Sequence, residues 1–114
     1  MNSDPGTIEV EDNVDSQRWE ARVDGYVAVA QYKRLDNAIV FTHTEVPSEL
    51  SGRGIANLLV RTALEDVRAR GLAVVPFCPF VASYIRRHGE YEPLVPPEYK
   101  MLVQKHKESL QSDL

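Results

Sequence analysis

Apolar and polar residues alternate through the first half of the chain and predict four β-strands. We expect these strands at Thr7–Asp12, Arg18–Asp24, Tyr26–Lys33 and Ala38–Val46. In the second of them, Trp19, Ala21 and Val23 share one face and mark the side turned to the core. The pair Asp24-Gly25 is a strong hairpin signal, because a two-residue primed turn needs positive φ angles. The first half therefore predicts an antiparallel meander.

The spacing of apolar residues becomes helical after Pro47. Between Arg53 and Arg70 they recur every three or four positions, and Gly71 supplies a C-terminal stop. The apolar run Leu72–Phe77 predicts a strand covered on both faces, followed at once by a helix over Pro79–His88. A helix between two strands implies a right-handed crossover and a parallel pair. The order β-β-β-β-α-β-α predicts a three-layer α+β fold, with a third helix at Glu98–Ser109.

Length and charge restrict the class of protein. The chain has 114 residues, which suits one domain, placed at residues 7–97 and followed by a C-terminal helix or tail at 98–114. Its net charge of −4 disfavours a nucleic-acid partner, because such binders rely on a basic surface. The single cysteine, Cys78, excludes an intramolecular disulfide. Because no apolar run is long enough for a signal peptide or a membrane span, we expect a cytoplasmic protein with no membrane partner. We also expect a monomer or a weak homodimer.

A glycine-rich loop, Ser51–Ala56, joins the fourth strand to the first helix. Gly52 and Gly54 allow the backbone to come close to a ligand, and a helix start offers free amides to a phosphate. The loop lacks the Lys-Ser/Thr of a nucleotide P-loop, and it follows a meander rather than opening a βαβ unit. Taken alone, it fits a phosphate site and a plain loop-to-helix junction about equally well.

Several short motifs resemble one enzyme family. The segment Glu49–Gly54 resembles the acetyl-CoA pyrophosphate loop of the GNAT acetyltransferase superfamily, usually written Arg/Gln-x-x-Gly-x-Gly/Ala. A minimal one-domain subfamily is closer still, and its hallmarks resemble His43–Pro47, Gly52–Ala56, Cys78–Val81 and Tyr84–His88. The resemblance covers Ala38 to Val95. It implies transfer of an acetyl group from acetyl-CoA to an amine acceptor, either a protein or a small molecule.

The resemblance also implies which residues hold acetyl-CoA. These are Thr44, Val46, Ser51, Gly52, Arg53, Gly54, Ile55 and Ala56. Two features depart from the superfamily: Glu49 stands where Arg or Gln is usual, with Arg53 placed to offset its charge, and the two helices between the first strands are missing. Because those helices shape the acceptor pocket in larger members, we expect a large acceptor or an open pocket.

Four residues are candidates for the chemistry. His43 and Glu45 alternate onto one face of the fourth strand, where either could accept the amine proton. Tyr84 lies within about one residue of the tyrosine that protonates the CoA thiolate in many GNAT enzymes. Cys78 is expected at the N-cap of the second helix, beyond the carboxyl end of a parallel strand, where open α/β sheets place ligands and a helix dipole favours a thiolate.

Each of these candidates also has a structural interpretation. His43 could be a hydrogen-bonded strand residue, Glu45 a solvated one, and Tyr84 and Cys78 core residues. Transfer could be direct or could run through an acetyl-cysteine at Cys78. Two other functions stay open: a binding module that holds CoA or an acyl-CoA without turnover, and an interaction protein with a purely structural loop. No His, Cys or Asp cluster has zinc-ligand spacing, so we predict no metal.

Overall fold

A computed structural model describes residues 8–104 of the chain, and within them five strands form one sheet in the order β1-β2-β3-β4-β5. The strands are β1 (Glu9–Asn13), β2 (Arg18–Val23), β3 (Tyr26–Arg34), β4 (Ala38–Glu45) and β5 (Ala73–Pro76). Neighbours from β1 to β4 pair antiparallel, and β5 pairs parallel with β4. The predicted meander and parallel fifth strand, and with them the α+β fold, are confirmed.

In the part of the chain that the structure describes, two complete α-helices accompany the sheet, α1 (Ile55–Ala69) and α2 (Pro79–Arg87). Helix α1 begins two residues later than predicted, because Gly54 is left-handed with φ of 74° and lies outside the helix. Short 3₁₀ turns occupy Ser48–Leu50, Gly89–Leu94 and Pro97–Tyr99, and residues 100–104 are helical. The rest of the predicted third helix, residues 105–109, lies outside the described residues. Over residues 8–104, neither helix has the length and apolar character to cross a bilayer.

The core lies between one face of the sheet and the two helices. The sheet contributes Trp19, Ala21 and Val23, all buried as predicted, together with alternate residues of the other strands. Helix α1 packs against all five strands, and α2 packs beside α1 on β4 and β5. This arrangement puts the N-terminus of α1 next to α2, and the glycine loop lies where the two helices meet.

The sheet surface turned away from α1, here called the outer face, carries the alternate residues of β1 to β4. Its members are Glu9, Glu11, Asn13, Arg18, Glu20, Arg22, Val27, Val29, Gln31, Lys33, Val40, His43 and Glu45. Cross-strand pairing aligns them in rows, since directly opposed residues of a sheet project to the same side. Most are exposed or half-buried, whereas Glu20 and Val29 are buried.

Candidate functional site

Strands β4 and β5 diverge after a short parallel ladder. Their pairing ends at Phe41 opposite Pro76, and the Cys78 N–H then donates to the Phe41 carbonyl at 2.9 Å. Strand β4 continues against β3 as far as Glu45, while the chain after β5 turns into α2. Over residues 42–45, no strand of the described chain pairs with the β5 side of β4. We call this opening the strand gap.

The glycine loop presents free backbone amides beside the strand gap. Gly52 and Gly54 have φ angles of 77° and 74°, where an L-residue pays about 1–2 kcal/mol of strain. No atom lies within 4 Å of where a Cβ would stand on either glycine, so both face open space. Gly54 is the N-cap of α1 without a side-chain cap bond, and the first helical bond joins the Leu58 N–H to its carbonyl at 3.1 Å. The amides of the first turn are thus left for a ligand.

Two depressions meet at the N-terminus of α1. The first, the loop pocket, has a volume of about 230 Å³ and the second, the helix groove between α1 and α2, about 290 Å³. The loop pocket is lined by Val46, Leu50, Ser51, Gly52, Gly54, Ile55, Ala56, Asn57 and Phe80. The helix groove is lined by Gly54, Asn57, Leu58, Arg61, Tyr84 and His88. Because Gly54 and Asn57 line both, the two depressions adjoin, and we call them together the channel; its loop-pocket end lies at Val46, next to the end of β4.

Charged residues flanking the loop point away from this channel. The Arg53 guanidinium pairs with the Asp24 carboxylate of the β2–β3 turn at 3.1 Å, and Arg53 is absent from the lining of both depressions. Glu49 is exposed on the 3₁₀ turn before the loop and is likewise absent from the lining. Arg53 is therefore not paired with Glu49 as the sequence suggested, and the loop's contribution to an anion site comes from its backbone.

Cys78 and Thr44 face each other on the core side of the strand gap. Cys78 is the N-cap of α2, as its position before Pro79 predicts, and is only 3% exposed. Its thiol makes no capping bond to the helix. It lies instead 3.3 Å from the Thr44 hydroxyl, and either group can donate in this hydrogen bond. The thiol is thus held at the wall of the gap by β4.

A β-bulge sends His43 and Glu45 to the outer face. Gln31 pairs with His43 while the next residue, Tyr32, pairs with Phe41, so Thr42 is an extra residue in β4. Phe41 points into the core, and the bulge places His43 on the opposite side. His43 Nε2 lies 3.5 Å from Glu45 Oε1, and these side chains are 56% and 70% exposed. The gap therefore separates two candidate pairs, Thr44–Cys78 on the core side and His43–Glu45 outside.

Tyr84 lies in the helix groove rather than beside Cys78. It follows Cys78 by six residues, about 9 Å along α2, and its ring stacks on His88 at 4.2 Å between centroids. Burial is the largest cause that raises the pKa of Tyr84 above its ordinary value, so the hydroxyl stays protonated. A proton donor needs that state, but the structure does not bring Tyr84 together with Thr44 and Cys78.

Several residues that line the channel were not singled out from the sequence. Asn57 and Arg61 are polar residues four apart on α1, which the helical pattern assigns to the solvent side. They line the helix groove because α2 stands beside that edge of α1. The sequence does contain a signal for them. Asn57 lies one helical turn after the glycine loop, on the edge of α1 where the free amides lie.

Comparison with known proteins shows which family the chain resembles over most of its length. Residues 18–94 match the family model described as GCN5-related N-acetyl-transferase. The chain is 33% identical over 86 residues to mouse Protein NATD1, covering 73% of this chain and 78% of that protein. It is 32% identical over 84 residues to chicken Protein NATD1, covering 71% and 76%. The match spans every strand from β2 to β5, the glycine loop and both helices, and the chain belongs to the GCN5-related N-acetyltransferase family.

Proposed function

We propose that this protein binds acetyl-CoA along the channel and transfers its acetyl group to an amine. The observation that carries the proposal is the uncapped start of α1, where two left-handed glycines face open space beside the strand gap. Free amides at the positive end of a 15-residue helix suit a pyrophosphate. The backbone of Thr44–Val46, along the open edge of β4, suits the amide groups of a pantetheine arm.

The helix groove then suits the nucleotide end of acetyl-CoA. Its lining combines the Arg61 guanidinium, which can meet a phosphate, with the stacked rings of Tyr84 and His88. Ser51, Gly52, Ile55 and Ala56 line the loop pocket, through which the pyrophosphate would pass. In this assignment Arg53 contributes its backbone amide, since its side chain is paired with Asp24.

The acetyl group would lie in the strand gap, between the two candidate pairs. In direct transfer the amine attacks the thioester carbonyl from the outer face, His43 or Glu45 takes the amine proton, and the CoA thiolate leaves. In the two-step alternative, Cys78 Sγ attacks the carbonyl and CoA leaves as its thiol. The amine then attacks the acetyl-cysteine and restores the Cys78 thiol. The exposed position of His43 and Glu45 favours direct transfer, and the Thr44 hydrogen bond to Cys78 keeps the second route open.

Three measurements together separate a transferase from a binding module. Calorimetry with acetyl-CoA measures binding, and release of free CoA thiol over a panel of amines measures turnover. Intact-mass spectrometry after incubation with acetyl-CoA alone detects a gain of one acetyl group, which the Cys78→Ala variant would lack if the thiol is the carrier. Binding without thiol release on any amine would contradict the transferase and support the binding module.

A further inference from the structure

Glu20 is a buried charge at the centre of the outer face. Its carboxylate is 2% exposed and accepts hydrogen bonds from Arg18 Nε and Arg22 Nη2, both at 2.7 Å. Asn13 Nδ2 donates a third bond at 3.0 Å. The Arg18 hydrogen bond is the largest cause that holds the pKa of Glu20 below its ordinary value. Glu20 is therefore ionised at neutral pH, and it fixes two guanidinium groups along β2.

The contribution to folding stability does not explain why the chain has this triad, Arg18–Glu20–Arg22. A buried ion pair contributes little compared with apolar residues of similar size, because desolvation offsets the attraction. What the triad does supply is cationic nitrogen at a fixed place, because Glu20 holds both guanidinium groups by hydrogen bonds. Arg22 also meets Glu11 at 3.3 Å, whereas the terminal nitrogens of Arg18 have no protein partner within residues 8–104. Arg18 can thus receive an anion.

The sheet register sets the distance between the triad and the reactive edge. Arg18, Gln31 and His43 stand opposite one another on three neighbouring strands. Glu20, Val29 and Glu45 form the next row. Two interstrand spacings of about 4.8 Å place the triad about 10 Å from His43 and Glu45. Between them, β3 carries the uncharged residues Val27, Val29 and Gln31, and Lys33 follows Gln31 on the same face.

We propose that the outer face binds the acceptor as an extended acidic peptide, with its reactive amine at His43–Glu45 and an acidic side chain at Arg18. This inference rests on the proposed function and names its acceptor. An extended chain advances about 3.3 Å per residue, so an acid two or three residues from the amine reaches the triad. An extended peptide suits this surface because exposed and half-buried residues of neighbouring strands line it in rows, and no outer-face residue lines the channel described above.

Two matched peptides test the inference. Each has a free amino terminus and differs only at the third residue, which is aspartate in one and asparagine in the other. With the wild-type protein and saturating acetyl-CoA, we expect kcat/KM for the aspartate peptide to be about tenfold higher, the value of one charge-assisted hydrogen bond. The Arg18→Gln variant should lower that ratio to about one without changing the KM for acetyl-CoA. Arg34→Gln removes the same charge from an exposed residue at the end of β3, on the opposite face of the sheet, and should keep the ratio.

The outcomes separate this inference from the proposed function. Turnover of both peptides at equal kcat/KM would overturn acid recognition and leave acetyl transfer intact. Thiol release with an amine of the panel but with neither peptide would overturn the peptide acceptor and leave acetyl transfer intact, whereas no thiol release with any amine, with acetyl-CoA bound, would remove the transferase. Fluorescence anisotropy then measures the affinity of the protein for the same two peptides, each labelled with a C-terminal fluorophore. Equal affinity for both overturns the inference, and a preference for the aspartate peptide that is lost in Arg18→Gln supports it.

Discussion

Replacing Gly54 by valine separates the folding role of the glycine loop from its proposed ligand role. Gly54 has φ of 74°, a conformation that costs an L-residue about 1–2 kcal/mol and suits a β-branched one least. Because no atom lies within 4 Å of the added Cβ, the folded protein suffers this backbone strain without a packing clash. We expect the free energy of unfolding to fall by about 1–2 kcal/mol, which leaves a folded protein to assay.

The effect on acetyl-CoA should be larger than this strain. The valine side chain would fill the open space through which a pyrophosphate reaches the amides of Ile55 and Ala56. Loss of one hydrogen bond to a charged group costs about 1.5–3 kcal/mol, which corresponds to an affinity about 10- to 100-fold weaker. Isothermal titration calorimetry with acetyl-CoA measures that change directly.

Gly71 provides a matched control at the other end of α1. It has φ of 72° and equally open surroundings, and it lies about 25 Å from Gly54 along the helix. Gly71→Val should lower stability as much as Gly54→Val and leave the affinity for acetyl-CoA unchanged. If both variants bind acetyl-CoA with the affinity of the wild-type protein, the loop is not part of the site. If both lose affinity equally, the loss reflects a general effect of destabilisation.

Four further predictions address the chemistry and the outer face. His43→Ala or Glu45→Ala should lower kcat more than acetyl-CoA affinity. If both variants keep the acidic limb of the pH–rate profile, neither residue is the base that accepts the amine proton. Cys78→Ala should abolish labelling of the protein by acetyl-CoA if transfer runs in two steps, whereas wild-type kcat in a folded variant leaves the thiol as a wall of the gap. Tyr84→Phe keeps the groove ring and removes its hydroxyl; because Tyr84 lies in the helix groove and not beside Thr44 and Cys78, we expect an unchanged kcat, and a lower kcat at unchanged affinity would restore Tyr84 as the proton donor. Glu20→Gln should reduce the free energy of unfolding by about 1–3 kcal/mol near pH 7. Because the Arg18 hydrogen bond lowers the folded pKa of Glu20, this difference is full above the ordinary carboxyl pKa, and urea titrations should show it shrinking as pH falls through the lowered folded pKa.

The positions of strands and helices could be read from the sequence because burial repeats at the period of each element. Trp19, Ala21 and Val23 alternate and are buried together, and Leu59 and Ala63 follow the helical spacing of α1. The glycine loop was also accessible, since its φ angles are ones that glycine alone adopts freely. Local patterns thus contain the elements and the junction at which the channel begins.

Features that depend on contacts between distant segments could not be read in this way. Nothing in the run from Phe41 to Glu45 shows that Thr42 is an extra residue, yet this bulge decides which face His43 occupies. The ion pair of Arg53 joins residues 29 positions apart. Asn57 lines the channel only because α2 folds against α1. The sequence therefore indicated the chemistry of the site more fully than its arrangement around β4.

The strand gap also has a consequence for pairing between sheets. An unpaired strand edge carries free N–H and C=O groups that can template association between sheets. Here the open part of β4 runs over residues 42–45, and Glu45 adds a charge at its end. This edge is as long as the four-position ladder by which β5 pairs with β4, so its length alone does not protect it. A ligand lying along the gap would occupy the same backbone groups that another sheet could use.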